Sequence, residues 1–455
     1  MNKKSKLHMT TEEFRKAGYK AVDWIADYYD HIEDYPVFPK VKPGEIRSML
    51  PEHPPQKGRQ YEEILQDMDT MMPGITHWQS PNFHAFFPCA TSGPAILGDL
   101  ISTGLGINGM NWVTSPSATE LESHVLDWLV DMMDLPKKFK STEIGGGVLQ
   151  DTASSSSLVA LIAAREKTSK GDINKNGYNR KLTVYTSSQA HSSIEKAVKI
   201  AGIGKNNLRL VDVDDSFAMD VNHLRKLILQ DIDNGLQPSY VCATVGTTSS
   251  TAIDPVEEIG LICKEFGIWL HVDAAMAGPA ALCPEYRFIN NGVEYADSYT
   301  FNPHKWMLTN FDCSVFYVAK RELLINAMSI LPEYLKNKAT ESQTVFDFRD
   351  WGIPLGRRFR ALKLWNVINY YGTKGLQEYI HEHMRNTQEL KKWIDEDPNF
   401  EIIAPVPLTL ICFRHKNGDK FNEKLLNRMN ESGKILLDDK PTKLNDGILT
   451  VSEVE

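Results

Sequence analysis

An α/β fold with a mainly parallel central sheet is predicted by three features of the chain. Between about Gly145 and Val318, apolar strand-like runs alternate with stretches of helical periodicity, the pattern of a sheet covered by helices on both faces. Ahead of that region lies a helix with a proline-rich tail, too little to enclose a core; after about Leu362 the pattern turns helical again before one strand-like run. The expected division is an N-terminal helical arm over 1–92 that packs on a partner subunit, a large domain over 93–361, and a smaller C-terminal α+β domain over 362–455.

In chain order, Phe14, Ala17, Val22, Ile25, Ala26 and Tyr29 form an amphipathic stripe, opened by Thr10 or Thr11 with Glu12 and Glu13 in the first turn and closed by Pro36. Pro39, Pro43, Pro51 and Pro54 make the next stretch an extended connector. A helix with Leu121, Val125, Leu126, Leu129 and Met132 runs to Pro136. Strands are expected at Leu182–Tyr185, Leu208–Val213, Tyr240–Val245, Ile268–Val272 and Val315–Val318. Helices are expected at Leu158–Lys167, Ser193–Ala201, Val221–Ile232 and Val256–Phe266. Beyond Leu362, the apolar Leu364, Val367, Ile368, Tyr371, Leu376 and Tyr379 are helical in spacing, and Leu408–Phe413 is strand-like.

Composition narrows the function. A formal net charge of −9 with interspersed signs argues against nucleic acid as a partner. The six cysteines stand singly, with no C-x-x-C pair for zinc or redox work, and fit a reduced, cytoplasmic protein. The basic start, Lys3-Lys4-Ser5-Lys6, is not followed by the apolar core of a signal peptide. The longest stretch without charged residues, His77 to Gly98, is interrupted by Pro81, Pro88 and Pro94, so no membrane span is expected.

The chemistry centres on Asn302-Pro303-His304-Lys305-Trp306. A lysine between His304 and Trp306, just past the apolar Tyr299-Thr300-Phe301, can lose its proton at modest cost and attack a carbonyl to form a Schiff base, which suits an aldehyde cofactor. Asp273 ends the apolar run Ile268 to Val272, where α/β proteins place ligands. Pyridoxal phosphate needs such a carboxylate at its pyridine nitrogen, so that the ring can accept electrons released at Cα. Gly145-Gly146-Gly147 leads into Asp151-Thr152-Ala153-Ser154, a Ser/Thr-rich helix start that offers N–H groups and a positive dipole end to a phosphate, or simply caps the helix. His191 follows a strand and is either a loop residue or an imidazole stacked on the cofactor ring. Thr247 and Thr248 are turn residues or reach the cofactor's edge.

These residues fall within ordered blocks that resemble the group II pyridoxal-phosphate decarboxylases of the aspartate-aminotransferase fold (fold type I), most of all the aromatic-L-amino-acid decarboxylases. The blocks are His77-Trp78-Gln79-Ser80-Pro81, Ser115-Pro116 with Thr119-Glu120-Leu121-Glu122, Gly145-Gly146-Gly147, Gln189 to Ser193, His271 to Ala275, Asn302 to Trp306, and Gly356-Arg357-Arg358-Phe359-Arg360. The resemblance implies decarboxylation of an aromatic amino acid to its amine, with pyridoxal 5'-phosphate as cofactor. Lys305 would hold the cofactor, Asp273 would pair with the pyridine nitrogen and His191 would stack on the ring. Thr152, Ala153, Ser154 and His304 would cradle the phosphate with Asn302 alongside, and Thr248 and Ala275 would complete the site.

Tyr334, in Leu331-Pro332-Glu333-Tyr334, matches the family's loop tyrosine, which protonates Cα, and the polar stretch Lys336 to Gln343 suits a lid. Relatives that make aldehydes with oxygen often replace that tyrosine or the stacking histidine; both are present here, which favours simple decarboxylation. Trp78, Phe83, Phe86, Phe87 and Pro88 could wall an aromatic pocket or be ordinary core. Gly356 resembles the aromatic branch. Phe86 and Cys89 stand where the animal enzymes carry tyrosine and threonine, and Asn108 and Met110 where they carry isoleucine and phenylalanine reaching in from the partner subunit. The substrate expected is tyrosine, dopa, tryptophan or phenylalanine, in a homodimer with its sites at the interface and without metal. The family continues with a strand and a long helix past the region near Asn445, so the small domain is expected to be shortened. An aldehyde synthase, an aminotransferase and an inactive paralogue remain the competing readings.

Overall fold

The computed structural model describes residues 8–178, 181–330, 345–439 and 449–451. Its central sheet contains β1 (Gly146–Gln150), β2 (Leu182–Ser187), β3 (Leu208–Val211), β4 (Gln237–Thr244), β5 (Trp269–Asp273), β6 (Ser298–Phe301) and β7 (Ser314–Val318). The order is β1-β7-β6-β5-β4-β2-β3; β3, β2, β4, β5 and β6 pair in parallel, and β7 runs antiparallel between β6 and β1. The expected strand-helix alternation and mainly parallel sheet are thus present. Every residue of β1, β2, β5, β6 and β7 is buried, as a sheet covered on both faces requires.

One face packs on the helix Ala153–Ser169 through Leu158, Val159, Leu161 and Ala164 against Val148, Val184, Tyr240, Trp269 and Phe316. The other carries the larger core, including Leu126, Leu129, Ile259, Leu270 and Val272. That core continues into the helix Arg360–Glu396 through Leu364, Val367, Leu376 and Ile380. The helix therefore crosses the expected division near residue 361 with its first half inside the large core. It bends at Gly372, whose φ of 63° and ψ of 173° leave the helical region.

The second sheet is antiparallel: β8 (Phe400–Ile402), β9 (Ile411–His415), β10 (Asp438–Asp439) and β11 (Leu449–Val451), in the order β10-β11-β9-β8. The arm helix Thr11–Asp30 begins with a capping box between Thr10 and Glu13. Farther along the arm, Val37, Phe83 and Ala85 pack on Leu436, and Val37 N–H and His84 N–H donate to the carbonyls of Gly433 and Leu436. Part of the arm thus lies on its own chain, while Phe14, Tyr19 and Val22 of its helix are exposed.

Candidate active site

The parallel strands present their C-terminal ends to one cavity of about 220 Å³. Lys305, Asp273, His191, His304, Asn302, Thr248, Ala275, Thr152, Ala153 and Ser154 all line it, so every residue expected to hold a cofactor reaches the same space. Thr247, by contrast, is buried in the turn beside it. Its hydroxyl bonds Ser250 Oγ at 3.0 Å and accepts from Ala252 N–H at 3.0 Å, so it shapes the loop that carries Thr248.

The sheet positions the two central groups. Asp273 is the last residue of β5, and its Oδ1 accepts from Ala275 N–H at 3.0 Å. Ala274 N–H donates to Thr300 O, and Asn302 N–H to Ala275 O, which ties the exits of β5 and β6 together. Lys305 rides on the single helical turn Pro303–Trp306 directly after β6. Burial lowers the Lys305 pKa, and the Asp273 charge partly restores it; burial raises Asp273, and Lys305 partly lowers it. The Lys305 ammonium lies 5.2 Å from the centre of the Phe87 ring.

Both site histidines have one nitrogen committed to a backbone donor. Ser193 N–H donates to His191 Nδ1 at 3.1 Å, and Cys313 N–H to His304 Nδ1 at 2.9 Å. In the neutral form each must therefore carry its proton on Nε2. Neutrality is favoured: burial, with Lys305 adding to it, pushes His304 down to about 4, and loss of water also lowers His191, against the opposing pull of Asp273. His191 is nonetheless exposed at the cavity's rim, the position from which a ring can cover a flat guest.

Thr152 caps the helix Ala153–Ser169, its hydroxyl accepting from Ser155 N–H at 3.4 Å. The first-turn N–H groups of Ala153 and Ser154 have no intrahelical acceptor and face an anion with the positive end of the helix dipole. Two further groups show that a polar guest belongs here. Asn302 Oδ1 and Thr244 Oγ1 are buried at the cavity wall without a hydrogen-bond partner among the described residues. An aldehyde with a phosphate arm and a ring nitrogen fits this set: an amine, a carboxylate, a helix N-terminus and orphaned polar atoms.

Thr244, Gly246, Ser193, Met276 and Phe311 also line the cavity and were not singled out by sequence. Thr244 ends β4, so the strand-end rule that found Asp273 could have found it. Gly246 adopts φ of 82°, and a Cβ there would stand 2.7 Å from Ala277 Cβ. Phe311, whose ring lies 4.7 Å from His304, carries no sequence signal.

The expected substrate residues divide into three places. Phe87 lines the main cavity. Trp78, Pro88 and Cys89 line a neighbouring cavity of about 80 Å³ with Leu308 and Tyr379, and Phe86 stacks on Trp78 at 5.9 Å from outside it. Asn108, Met110 and Gly356 touch neither: Asn108 Oδ1 accepts from Arg357 N–H, and Met110 O from Arg349 N–H. Tyr334 and the stretch from Lys336 to Gln343 lie outside the described residues.

Residues 43–416 match the family model described as the pyridoxal-dependent decarboxylase conserved domain. The chain is 46% identical over 439 residues to phenylacetaldehyde synthase of Arabidopsis thaliana, covering 94% of this chain and 89% of that protein. It is 46% identical over 447 residues to aromatic-L-amino-acid decarboxylase of Mus musculus, covering 96% and 92%. Its fold is similar to the crystal structure of Catharanthus roseus tryptophan decarboxylase in complex with L-tryptophan, with a TM-score of 0.92, 41% identity, and coverage of 98% and 94%.

Proposed function

This chain belongs to the pyridoxal-dependent decarboxylase family and is a carboxy-lyase that works with pyridoxal 5'-phosphate; on that premise we propose that it converts an aromatic L-amino acid to its amine and carbon dioxide. The observation that carries the reading is the cavity in which the desolvated Lys305 amine and buried Asp273 meet the free first-turn N–H groups of the helix that Thr152 caps. Lys305 would hold the cofactor's aldehyde carbon, Asp273 its ring nitrogen, His191 a ring face, and Thr152, Ala153, Ser154, His304 and Asn302 its phosphate, with Thr248 and Ala275 at its edges. Bound there, the cofactor supplies an electron sink for the bond broken at the substrate Cα.

The chain's residues supply the rest. Burial leaves the Lys305 amine free of its proton at lower pH than an ordinary lysine, ready to bind a carbonyl and to yield to a substrate amine. Asp273, shut away from water, keeps a proton on whatever basic nitrogen faces it. His304 and His191 each direct an Nε2–H outward from a nitrogen fixed on the backbone. Phe87 sets an apolar wall over Lys305 Nζ, which would keep water from the bond broken there. Tyr334 is the residue that the family resemblance assigns to deliver a proton to Cα after carbon dioxide leaves.

The aromatic substrate is supported by the likeness to the aromatic-L-amino-acid and tryptophan decarboxylases and by Phe87 in the cavity wall. The likeness to phenylacetaldehyde synthase favours a second reading, oxidative conversion to an aldehyde; the presence of both His191 and Tyr334 weighs against it. A homodimer is supported by Leu97, Leu100, Ile101 and Leu105, exposed on the helix Gly93–Leu105, and by the distance of Asn108, Met110 and Gly356 from their own chain's cavity. The arm helix would join the same interface. A cytoplasmic setting is consistent with six free cysteines, and no helix among the described residues is long and apolar enough to cross a membrane.

The test is turnover of the protein with pyridoxal 5'-phosphate on tyrosine, dopa, tryptophan, 5-hydroxytryptophan, phenylalanine and histidine, following carbon dioxide, amine and peroxide together. Equal amine and carbon dioxide without peroxide are expected. Peroxide and aldehyde would establish the oxidative reading instead.

A further inference from the structure

A line of hydrogen bonds runs beneath the cavity floor, through residues that touch no ligand space. His271 lies on β5 two residues before Asp273, on the same sheet face, and is fully buried. Its Nδ1 is 2.8 Å from Ser298 Oγ on β6, and its Nε2 is 3.3 Å from Ser157 Oγ on the helix Ala153–Ser169. Ser298 Oγ also accepts from Trp269 Nε1–H at 2.8 Å. An indole N–H can only donate, so the hydroxyl of Ser298 is used fully when it passes its own proton to His271 Nδ1. The ring then donates from Nε2 to Ser157. Ser157 can turn its proton to the carbonyl one helical turn back.

Elementary geometry gives the line its purpose. Ser157 sits one turn along the helix from Ala153, about 6 Å at 1.5 Å per residue. His271 sits two residues along β5 from Asp273, roughly 6.6 Å at 3.3 Å per residue. The bond between Ser157 and His271 is therefore a rung parallel to the line from the helix start to Asp273, one layer below it. We propose that His271 is a positioning residue: through Ser157 it fixes the separation between the phosphate-binding helix start and the carboxylate that holds the ring nitrogen. The cofactor's two ends are then gripped at a set span.

Burial suits His271 to this task. With no charge beside it to compensate, burial pushes its pKa down to about 3, so the strut stays neutral and keeps its hydrogen bonds throughout the working range. Tyr240 stacks on the imidazole at 5.9 Å and Phe316 flanks it at 6.3 Å, which blocks ring rotation. Trp269, on β5 itself, anchors the far end through Ser298.

The proposal rests on the reading that Ala153 and Ser154 hold the phosphate, and the experiment separates the two. Pyridoxal 5'-phosphate and pyridoxal, which lacks the phosphate, are titrated into the cofactor-free protein by quenching of tryptophan fluorescence. Wild type, Ser154→Ala, Ser157→Ala, Ser157→Thr and His271→Asn are compared, each with its melting temperature. Loss of the strut is expected to weaken pyridoxal 5'-phosphate about tenfold in Ser157→Ala and His271→Asn, the worth of a buried hydrogen bond. Pyridoxal, gripped at one end only, should change by less than about twofold. Ser157→Thr, which keeps the hydroxyl, should restore wild-type discrimination.

Equal loss of both ligands would mean that His271 merely supports the fold, and would overturn the proposal, as would unchanged affinity for both. Ser157→Ala removes one atom from a helix that otherwise keeps its packing, so it decides the matter if His271→Asn does not fold. If Ser154→Ala alone changes the discrimination, the strut fails and the phosphate site stands. If wild type binds pyridoxal 5'-phosphate no more tightly than pyridoxal, the phosphate reading fails and the strut falls with it.

Discussion

At the scale of single residues, the site depends on the opposing effects of burial on Lys305 and Asp273. Loss of water disfavours both charges, and their mutual attraction restores part of each. For Lys305 the loss of water outweighs the pull of Asp273, so its amine loses its proton below the ordinary lysine value of about 10.4. Only the neutral amine attacks a carbonyl. The rate at which cofactor-free protein captures pyridoxal 5'-phosphate should therefore rise with pH to an inflection clearly below that value. Stopped-flow absorbance between pH 6 and 10 would measure it. Asp273→Ala removes the charge that raises Lys305, so its inflection should move lower still. An inflection at the ordinary lysine value, or an upward move in the variant, would refute this account.

At the scale of elements, the legible strands β2, β3, β4, β5 and β7 stood out as apolar runs, and the legible helices, among them Ala153–Ser169, Val221–Asp233 and Val256–Phe266, stood out by sustained helical spacing. The helix Gly93–Leu105 was hidden by Gly93, Pro94, Gly98 and Gly104, which read as loop. Gly98 is there because of packing: a Cβ would stand 2.6 Å from the backbone of Lys363 on the long helix. Tyr299 to Phe301 was seen only as an apolar run, since β6 has four residues, too few to show a period. The antiparallel course of β7 leaves no mark on its own sequence. Lys305, Asp273, His191, Thr248 and the Thr152–Ser154 stretch were legible because each follows a strand or starts a helix, whereas Ala275 and the phosphate roles of His304 and Asn302 came from resemblance. Asn108, Met110 and Gly356 came from resemblance alone, and none of them lines the cavity. Gly246 holds the exit of β4. It turns the chain after β4 with φ of 82°, and Ala277 leaves no room for a side chain. Gly246→Ala should cost about 2 kcal/mol of stability from strain and overpacking, read by urea denaturation. Cofactor affinity should fall with it, because the same turn leads to Thr248 at the cavity wall.

At the scale of the whole molecule, two connections join the parts. The first is the proposed contact between two chains: Leu97 and Ile101 lie one turn apart on an exposed helix face, with Val113, Ile353 and Leu355 also exposed. Leu97→Asp with Ile101→Asp should yield a monomer by sedimentation and abolish turnover, although neither residue lines the cavity. A dimer with full activity would remove the interface from this face. The second is within the chain: Trp306, next to Lys305, donates from its indole N–H to His383 Nδ1 at 2.9 Å, and His383 belongs to the helix Arg360–Glu396. Burial pushes His383 down to about 4, against an ordinary value of about 6.5, so the folded protein holds it neutral where the unfolded chain takes up a proton. Its contribution is complete above about pH 6.5 and is lost as pH falls toward 4, by an amount on the order of 3 kcal/mol. Asp254, raised to about 7 by burial, acts in the opposite sense over the same range, so the wild-type curve alone does not isolate the histidine. His383→Asn does, since an amide oxygen can still accept from Trp306 without titrating. The gap in melting temperature between wild type and variant should narrow as pH falls from 6.5 to 4. A constant gap across that window would mean that His383 titrates alike in the folded and unfolded chains, and that the tie between Lys305's segment and the long helix survives acid unchanged.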